Sequence, residues 1–278
     1  MRVQRGPRFA LIAAVCVALL AACSKSSPTT SGSSSSARAP ASASGSPLSG
    51  SANIFAAQSL KGAFDKIDTD FMAAHPGVSL TPNYNGSGSL VTSIQQGAPA
   101  DVFASADGAN MTKLTATGTI ATSTAQTFAR NALQIVVKAG NPKAIKTLAD
   151  LAKPGMIVVL GDPASVPAGK YAQQAFAEAG VTVTAKSLET NVTSVLTKVA
   201  LGEADAGIVY VTDVKAGAAG GQAVQGIEIP TAQNVVATYP IAPLAHAPNP
   251  AVARAYVAYV LSPPGQAALA SFGFLPPG

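Results

Sequence analysis

From Asn53 to the end of the chain, hydrophobic residues alternate between two periods, and this constrains the fold more than any other feature. Asn53 to Ala57 reads as a short strand. Ser59 then precedes Leu60, Ala63, Phe64, Ile67 and Phe71, whose spacing fits a helix of 3.6 residues per turn. His75-Pro76-Gly77 stops that helix. Val78, Leu80 and Tyr84 fall at even spacing on the next strand, and Asn85-Gly86-Ser87-Gly88-Ser89 forms a turn before a helix beginning with Leu90, Val91 and Ile94. Asp101–Ala104, Leu133–Val137, Met156–Leu160 and Gly207–Val211 are further apolar strands, with helices predicted over Ala168–Ala179, Val192–Leu201 and Ala251–Leu261. Strands that alternate with helices build parallel sheets covered by helices on both faces.

The N-terminus has a different character. Arg2, Arg5 and Arg8 precede an apolar run from Phe9 to Leu20, which is about half of what a bilayer span requires and reads as a signal-peptide core. Leu20-Ala21-Ala22-Cys23 resembles the lipobox of bacterial lipoproteins, which implies cleavage before Cys23 and acylation of its thiol. From Ser24 to about Ser51 the chain is rich in Ser, Ala, Gly, Pro and Thr. It cannot bury enough surface to offset its ordering entropy, so a flexible tether is expected. Removal of residues 1–22 would leave 256 residues and lower the formal charge from +5 to +2. That balance, with no basic run or basic-aromatic interleaving, gives no basis for nucleic-acid binding. Cys16 lies in the signal core and Cys23 would carry lipid, so no disulfide is expected in the mature fold. Stability must come from a buried core, for which about 225 residues suffice.

Ligands of open α/β sheets sit beyond the carboxyl ends of strands, where helices begin. Four such junctions carry small polar residues or glycine: Ser59, Ser87 between two glycines, Pro167-Ala168-Gly169, and Asn191-Val192. Each helix start offers spare backbone N–H groups and the positive end of a dipole, which together seat an anion. One dipole contributes roughly 0.3–1 kcal/mol when exposed and up to about 2 when partly buried. Serine, asparagine and glycine at such places also serve simply as caps. Only convergence in space distinguishes the two roles. Tyr210, at the end of a strand, fits equally well as a core residue with a wet tip. Asp101, Asp107 and Asp162 read as caps or braces, and Asp213 as a group that holds the Tyr210 segment.

Catalytic chemistry finds little support. Downstream of Cys23 the only histidines are His75 and His246, and no Ser/His/Asp arrangement or metal-ligand spacing is evident. Gly161-Asp162-Pro163-Ala164-Ser165-Val166-Pro167-Ala168-Gly169-Lys170 lacks the spacing of a phosphate loop and has no Ser or Thr after the lysine.

Several segments, in order from Ala52 to Phe274, resemble the periplasmic molybdate-binding proteins of ABC importers. They are Phe55-Ala56-Ala57-Gln58-Ser59-Leu60, Gly86-Ser87-Gly88-Ser89-Leu90, and Gln96-Gly97-Ala98-Pro99-Ala100-Asp101-Val102-Phe103-Ala104-Ser105-Ala106-Asp107. Gly161-Asp162-Pro163 followed by Val166-Pro167-Ala168-Gly169-Lys170-Tyr171-Ala172, then Asn191-Val192, Gly207-Ile208-Val209-Tyr210 and Phe272-Gly273-Phe274, continue the match. The resemblance implies an α/β, two-lobed class II periplasmic-binding-protein fold, each lobe a mainly parallel sheet flanked by helices. Residues 52–132 with 234–278 would form one lobe and 133–233 the other, after a signal peptide at 1–22 and an acylated tether at 23–51. Hinges are expected at Asn131–Leu133 and Gln233–Ala237.

The same resemblance assigns the ligand contacts. Ser59 and Ser87 would each give a hydroxyl and a backbone N–H, Ala168 and Val192 backbone N–H groups, and Tyr210 its phenol. The molybdenum would arrive only inside the oxyanion, with no protein atom bound to the metal and no cofactor. A shell made only of donors suits a fully deprotonated dianion and disfavours hydrogen phosphate, whose own O–H needs an acceptor. Sulfate, with shorter bonds, would leave the donors out of reach. Gln58 and the Gly-Ser-Gly-Ser form of the second loop depart from the family's usual pattern and bear on pocket volume. The implied protein is a monomer that carries molybdate or tungstate to a membrane permease and its ATPase, tethered at the outer face of the cytoplasmic membrane through Cys23. A binding protein for sulfate or phosphate, and a surface adhesin or structural lipoprotein, are the alternatives.

Overall fold

The computed structural model describes residues 47–278, so Cys23, the signal segment and most of the expected tether lie outside the described residues. The described residues form one compact unit.

The first strand, β1, runs from Ser49 to Ala57, four residues earlier than its apolar pattern predicts. A 3-10 turn over Gln58–Leu60 leads into α1, Lys61–Ala74. The predicted stripe of Leu60, Ala63, Phe64, Ile67 and Phe71 is buried, and each large member contributes about 1.5–3 kcal/mol. The helix stops at His75 because the residue before a proline is driven out of the helical region. Next come β2 (Gly77–Asn85), α2 (Ser87–Gln95), the three-residue β3 (Val102–Ala104) and α3 (Gly108–Thr115). The helix α2 starts at Ser87, inside the stretch predicted as turn.

A long strand, β4, spans Gln126–Lys138, well beyond the predicted Leu133–Val137. The middle of the chain then supplies β5 (Val158–Gly161), α4 (Pro167–Glu178), β6 (Ser187–Glu189), α5 (Val192–Leu201), β7 (Ala206–Tyr210), α6 (Val211–Ala219) and β8 (Val224–Glu228). Proline at the first position of α4 costs nothing there, since that N–H would be unpaired anyway. At the far end of α5, Gly202 takes a left-handed conformation with φ 78° and closes the helix. The chain returns through β9 (Val236–Pro243) and ends with α7 (Pro250–Leu261) and α8 (Pro263–Ser271).

Among the described residues, eight of the nine strands form one path in the order β2-β1-β3-β9-β4-β7-β5-β6, and the ninth, β8, lies off it and pairs with β4. Strands that feed helices run parallel: β1 with β2 and β3, and β5 with β6 and β7. The antiparallel pairs all involve β4 or β9. The arrangement is therefore mixed, because the chain must cross between halves and return. Along β4, Gln126–Ala132 pairs with β9, whereas Leu133–Lys138 pairs with β7 and β8. One strand thus belongs to two sheets, one in each half of a two-lobed fold.

Candidate functional site in the cleft between the two halves

Five junctions at the carboxyl ends of parallel strands meet. Ser59 follows β1, Ser87 follows β2, Ala168 lies in the first turn of α4 after β5, Val192 opens α5 after β6, and Tyr210 ends β7. All five line a single cavity, together with Gln58, Asn85, Gly86, Ala106, Val166 and Pro167. The cavity is only about 10 Å³, far below the range of roughly 300–1,000 Å³ that suits drug-sized molecules. A compact ion fits that scale better than a sugar or a peptide.

No charged side chain lines this cavity. Several of its lining groups can donate. Ser87 is completely buried, and its Oγ accepts a hydrogen bond from the Ala106 N–H at 3.1 Å. A backbone N–H can only donate, so the Ser87 hydroxyl proton is left for the cavity. Ser59 Oγ lies 3.0 Å from the Tyr239 hydroxyl. The first turns of α4 and α5 add the Ala168 and Val192 N–H groups, which lie too early in their helices for an intrahelical partner. Tyr210 is buried, and its hydroxyl makes no hydrogen bond among the described residues. Burial, and after it the charges or potential charges of Tyr239, Tyr171, Asp213 and Asp107, push this phenol well above its ordinary pKa. It therefore stays protonated and remains a donor without an acceptor.

The carboxylates have other tasks. Asp213 Oδ2 accepts from the Tyr210 N–H at 2.9 Å and holds the Tyr210 segment, as the sequence leads one to expect. Burial outweighs that bond and raises its pKa to about 7. Asp107 caps α3 through the Asn110 N–H at 2.8 Å. Asp162 holds the turn before α4 through the Ala164 N–H at 3.0 Å. Asp101 braces β1 and the start of α7 by accepting from the Asn53 N–H (2.8 Å) and the Asn249 N–H (2.6 Å). His246 is exposed and His75 packs on Phe71 with ring centroids 4.7 Å apart; neither lines the cavity. Among the described residues, no three His, Cys, Asp or Glu side chains gather as a metal site would need.

Sequence reasoning missed two elements of the site. One is the network behind Ser59, formed by Tyr239, Asn131 and Thr212. The other is the close approach of the halves at the Gly86-Ser87-Gly88 loop. The Gly88 N–H donates to the Ser165 carbonyl at 2.8 Å. A Cβ on Gly86 would sit 2.8 Å from the Thr190 carbonyl oxygen, and one on Gly88 2.8 Å from Ser165 Cα. Both glycines are needed for the halves to come this close.

Known proteins share this architecture. Residues 52–275 match the family model described as bacterial extracellular solute-binding protein. The chain belongs to that family. Among its relatives in this solute-binding family, the molybdate-binding protein of Mycobacterium tuberculosis is 40% identical over 269 residues, covering 96% of this chain and 97% of that protein. The substrate-binding domain of a molybdenum ABC transporter from Clostridium difficile superposes with TM-score 0.61 at 29% identity, over 81% of this chain and 98% of that one. The sulfate-binding protein of Mycobacterium tuberculosis shares the fold, with TM-score 0.75 at 21% identity, over 81% of this chain and 86% of that one. Among the described residues, no helix of this solute-binding protein is long and apolar enough to cross a membrane.

Proposed function

We propose that the chain is an extracytoplasmic binding lipoprotein that captures molybdate, and also tungstate, in the cleft and delivers it to an ABC importer. One observation carries this reading. The cavity offers hydroxyl and amide protons with no charged side chain, and its buried Tyr210 phenol lacks an acceptor. An ion that brings only acceptor oxygens satisfies every one of these groups. Ser59, Ser87 and Tyr210 would donate hydroxyls, and Ala168 and Val192 backbone N–H groups. The names borne by relatives that align over nearly the whole chain agree with this chemistry.

The lobes in this reading are residues 52–132 with 234–278, and 133–233. Hinges fall at Asn131–Leu133 and Gln233–Ala237, where β4 changes partners and β9 begins. Closure traps the ion between donors from both lobes, and the permease recognises the closed form. Cys23 and the segment after it would tether the protein to the outer face of the membrane.

A calorimetric panel of molybdate, tungstate, sulfate and hydrogen phosphate tests the proposal. Tight one-to-one uptake of molybdate and tungstate, with sulfate and hydrogen phosphate much weaker, is the expected result. Preference for sulfate would make sulfate the ligand of this protein, and uptake of none would end the oxyanion reading.

A further inference from the structure

We propose that Asn131 and Tyr239 are positioning residues that fix the direction of the Ser59 hydroxyl, so that the cleft presents a proton there and rejects oxyanions that carry one. The inference rests on the oxyanion reading of the cavity. Its basis is the order of donors in a buried chain. Asn131 Oδ1 accepts from the Ala132 N–H at 3.0 Å. Because that N–H can only donate, the amide cannot be turned over without setting two donors against each other. Asn131 Nδ2 must then face the other way. It donates to Thr212 Oγ1 at 2.7 Å and lies 3.4 Å from the Tyr239 hydroxyl. Tyr239 therefore meets a donor on that side. The Tyr210 hydroxyl lies beyond hydrogen-bond distance among the described residues, so the acceptor within reach of the Tyr239 proton is Ser59 Oγ at 3.0 Å. Ser59 accepts from Tyr239, and its own proton turns into the cavity.

The outcome matches that at Ser87, where the Ala106 N–H plays the part of Tyr239. At Ser87 the direction is fixed by a backbone group that no substitution can reverse. At Ser59 it is fixed by two side chains, on β9 and β4, and can be changed. Burial raises the Tyr239 pKa well above its ordinary value, with Asp213 adding to the effect, so the phenol keeps its proton. Asn131 sits where β4 passes from one sheet to the other, and Thr212 is in the first turn of α6 in the middle half. The relay thus runs from the crossover to the ligand.

The test is calorimetric titration of the wild type, Tyr239→Phe and Asn131→Asp with molybdate and, separately, with hydrogen phosphate. Tyr239→Phe keeps the ring packed against Tyr210 and Phe274 but frees Ser59 to accept as well as donate. It is expected to weaken molybdate about tenfold, the loss of one ordinary hydrogen bond, while hydrogen phosphate holds or improves. Asn131→Asp places an acceptor before Tyr239, reverses the chain and turns the Ser59 lone pairs into the cavity. The ratio of the two affinities should narrow further in that variant, by about a hundredfold. A site that is merely loosened loses both ligands alike. An equal loss for both, or no change, in a folded Tyr239→Phe overturns the inference even if Asn131→Asp does not fold. Failure of the wild type to bind molybdate would remove the oxyanion reading and this inference together.

Discussion

Among the described residues, two regions each hold a buried polar atom without a partner, and they differ in what would satisfy it. In the cleft it is the Tyr210 hydroxyl, and in the layer between α1 and α7 it is Asp68 Oδ2. Tyr210 is a donor that lacks an acceptor, and it lines a cavity. Asp68 is a buried acceptor that lacks a donor, on the same helix as Phe64 and Phe71, whose rings pack edge to face on Tyr256. Its other oxygen accepts from the Tyr256 hydroxyl at 2.6 Å. A proton on Asp68 Oδ2 would meet the deficit. Burial raises the Asp68 pKa to about 6 against the lowering effect of the Tyr256 bond. In the proposed reading, the same local deficit would be met by an ion in one place and by protonation in the other.

The comparison can be tested by removing each region's polar groups. The largest effect is expected from Ser87→Ala, which takes a donor from the cleft and also leaves the buried Ala106 N–H unpaired. Molybdate affinity should fall about 10- to 150-fold by calorimetry, and the unliganded protein should lose about 1–3 kcal/mol by urea unfolding. Tyr210→Phe separates these two effects. It should cost about 10- to 100-fold in affinity, yet leave the unliganded melting temperature unchanged or higher, since the orphaned hydroxyl is gone. A fall in unliganded stability would mean that Tyr210 is partnered after all.

In the other region, Asp68→Asn should act on stability alone. A carboxyl whose folded pKa is raised favours the fold below about pH 4, and that contribution is lost as pH rises through about 6. The shift corresponds to about 3 kcal/mol, offset by about 1 kcal/mol for the unpaired amide N–H. Relative to the wild type, the variant should therefore pass from about 1 kcal/mol less stable below pH 4 to about 2 kcal/mol more stable at pH 7, with no further change above that. A pH-independent difference would remove Asp68 as the titrating group. The smallest effect is expected at Asp213, the carboxyl behind Tyr210, with its pKa near 7. Its ionisation places a negative charge beneath the cleft, so molybdate affinity should weaken about threefold from pH 6 to 8 in the wild type. Asp213→Asn should give a flat profile.

The elements easiest to read in the sequence were those whose local rules agree with their surroundings. The stripe of α1 and the strand–helix junctions at Ser59, Ser87, Ala168 and Val192 combine periodicity with a cap or glycine, and the structure brings those residues with Tyr210 into one cavity. The strand β9 was hidden because it contains Pro240 and Pro243, which argue against a central strand. Pro240 is accommodated opposite an irregularity in β4 between Thr127 and Ala129. The first half of β4, Gln126–Ala132, is too polar to show a strand period, and α6 follows β7 without an intervening loop. Tyr239 and Asn131 therefore fell in segments with no assigned structure, and their pairing spans 108 residues of chain. The approach of Ser165 to Gly88 is a contact between backbone atoms, which side-chain patterns do not encode.

One pairing in the sheet has a consequence for how such a molecule can be taken apart. Ala132 lies opposite Val236, so the whole middle half leaves and re-enters the chain at two adjacent positions, only about 5 Å apart as neighbouring strands are. The middle half is in this sense an insert in a hairpin. It could be excised by joining β4 to β9 with a tight turn, or exchanged for the corresponding piece of a relative, without rerouting the remainder.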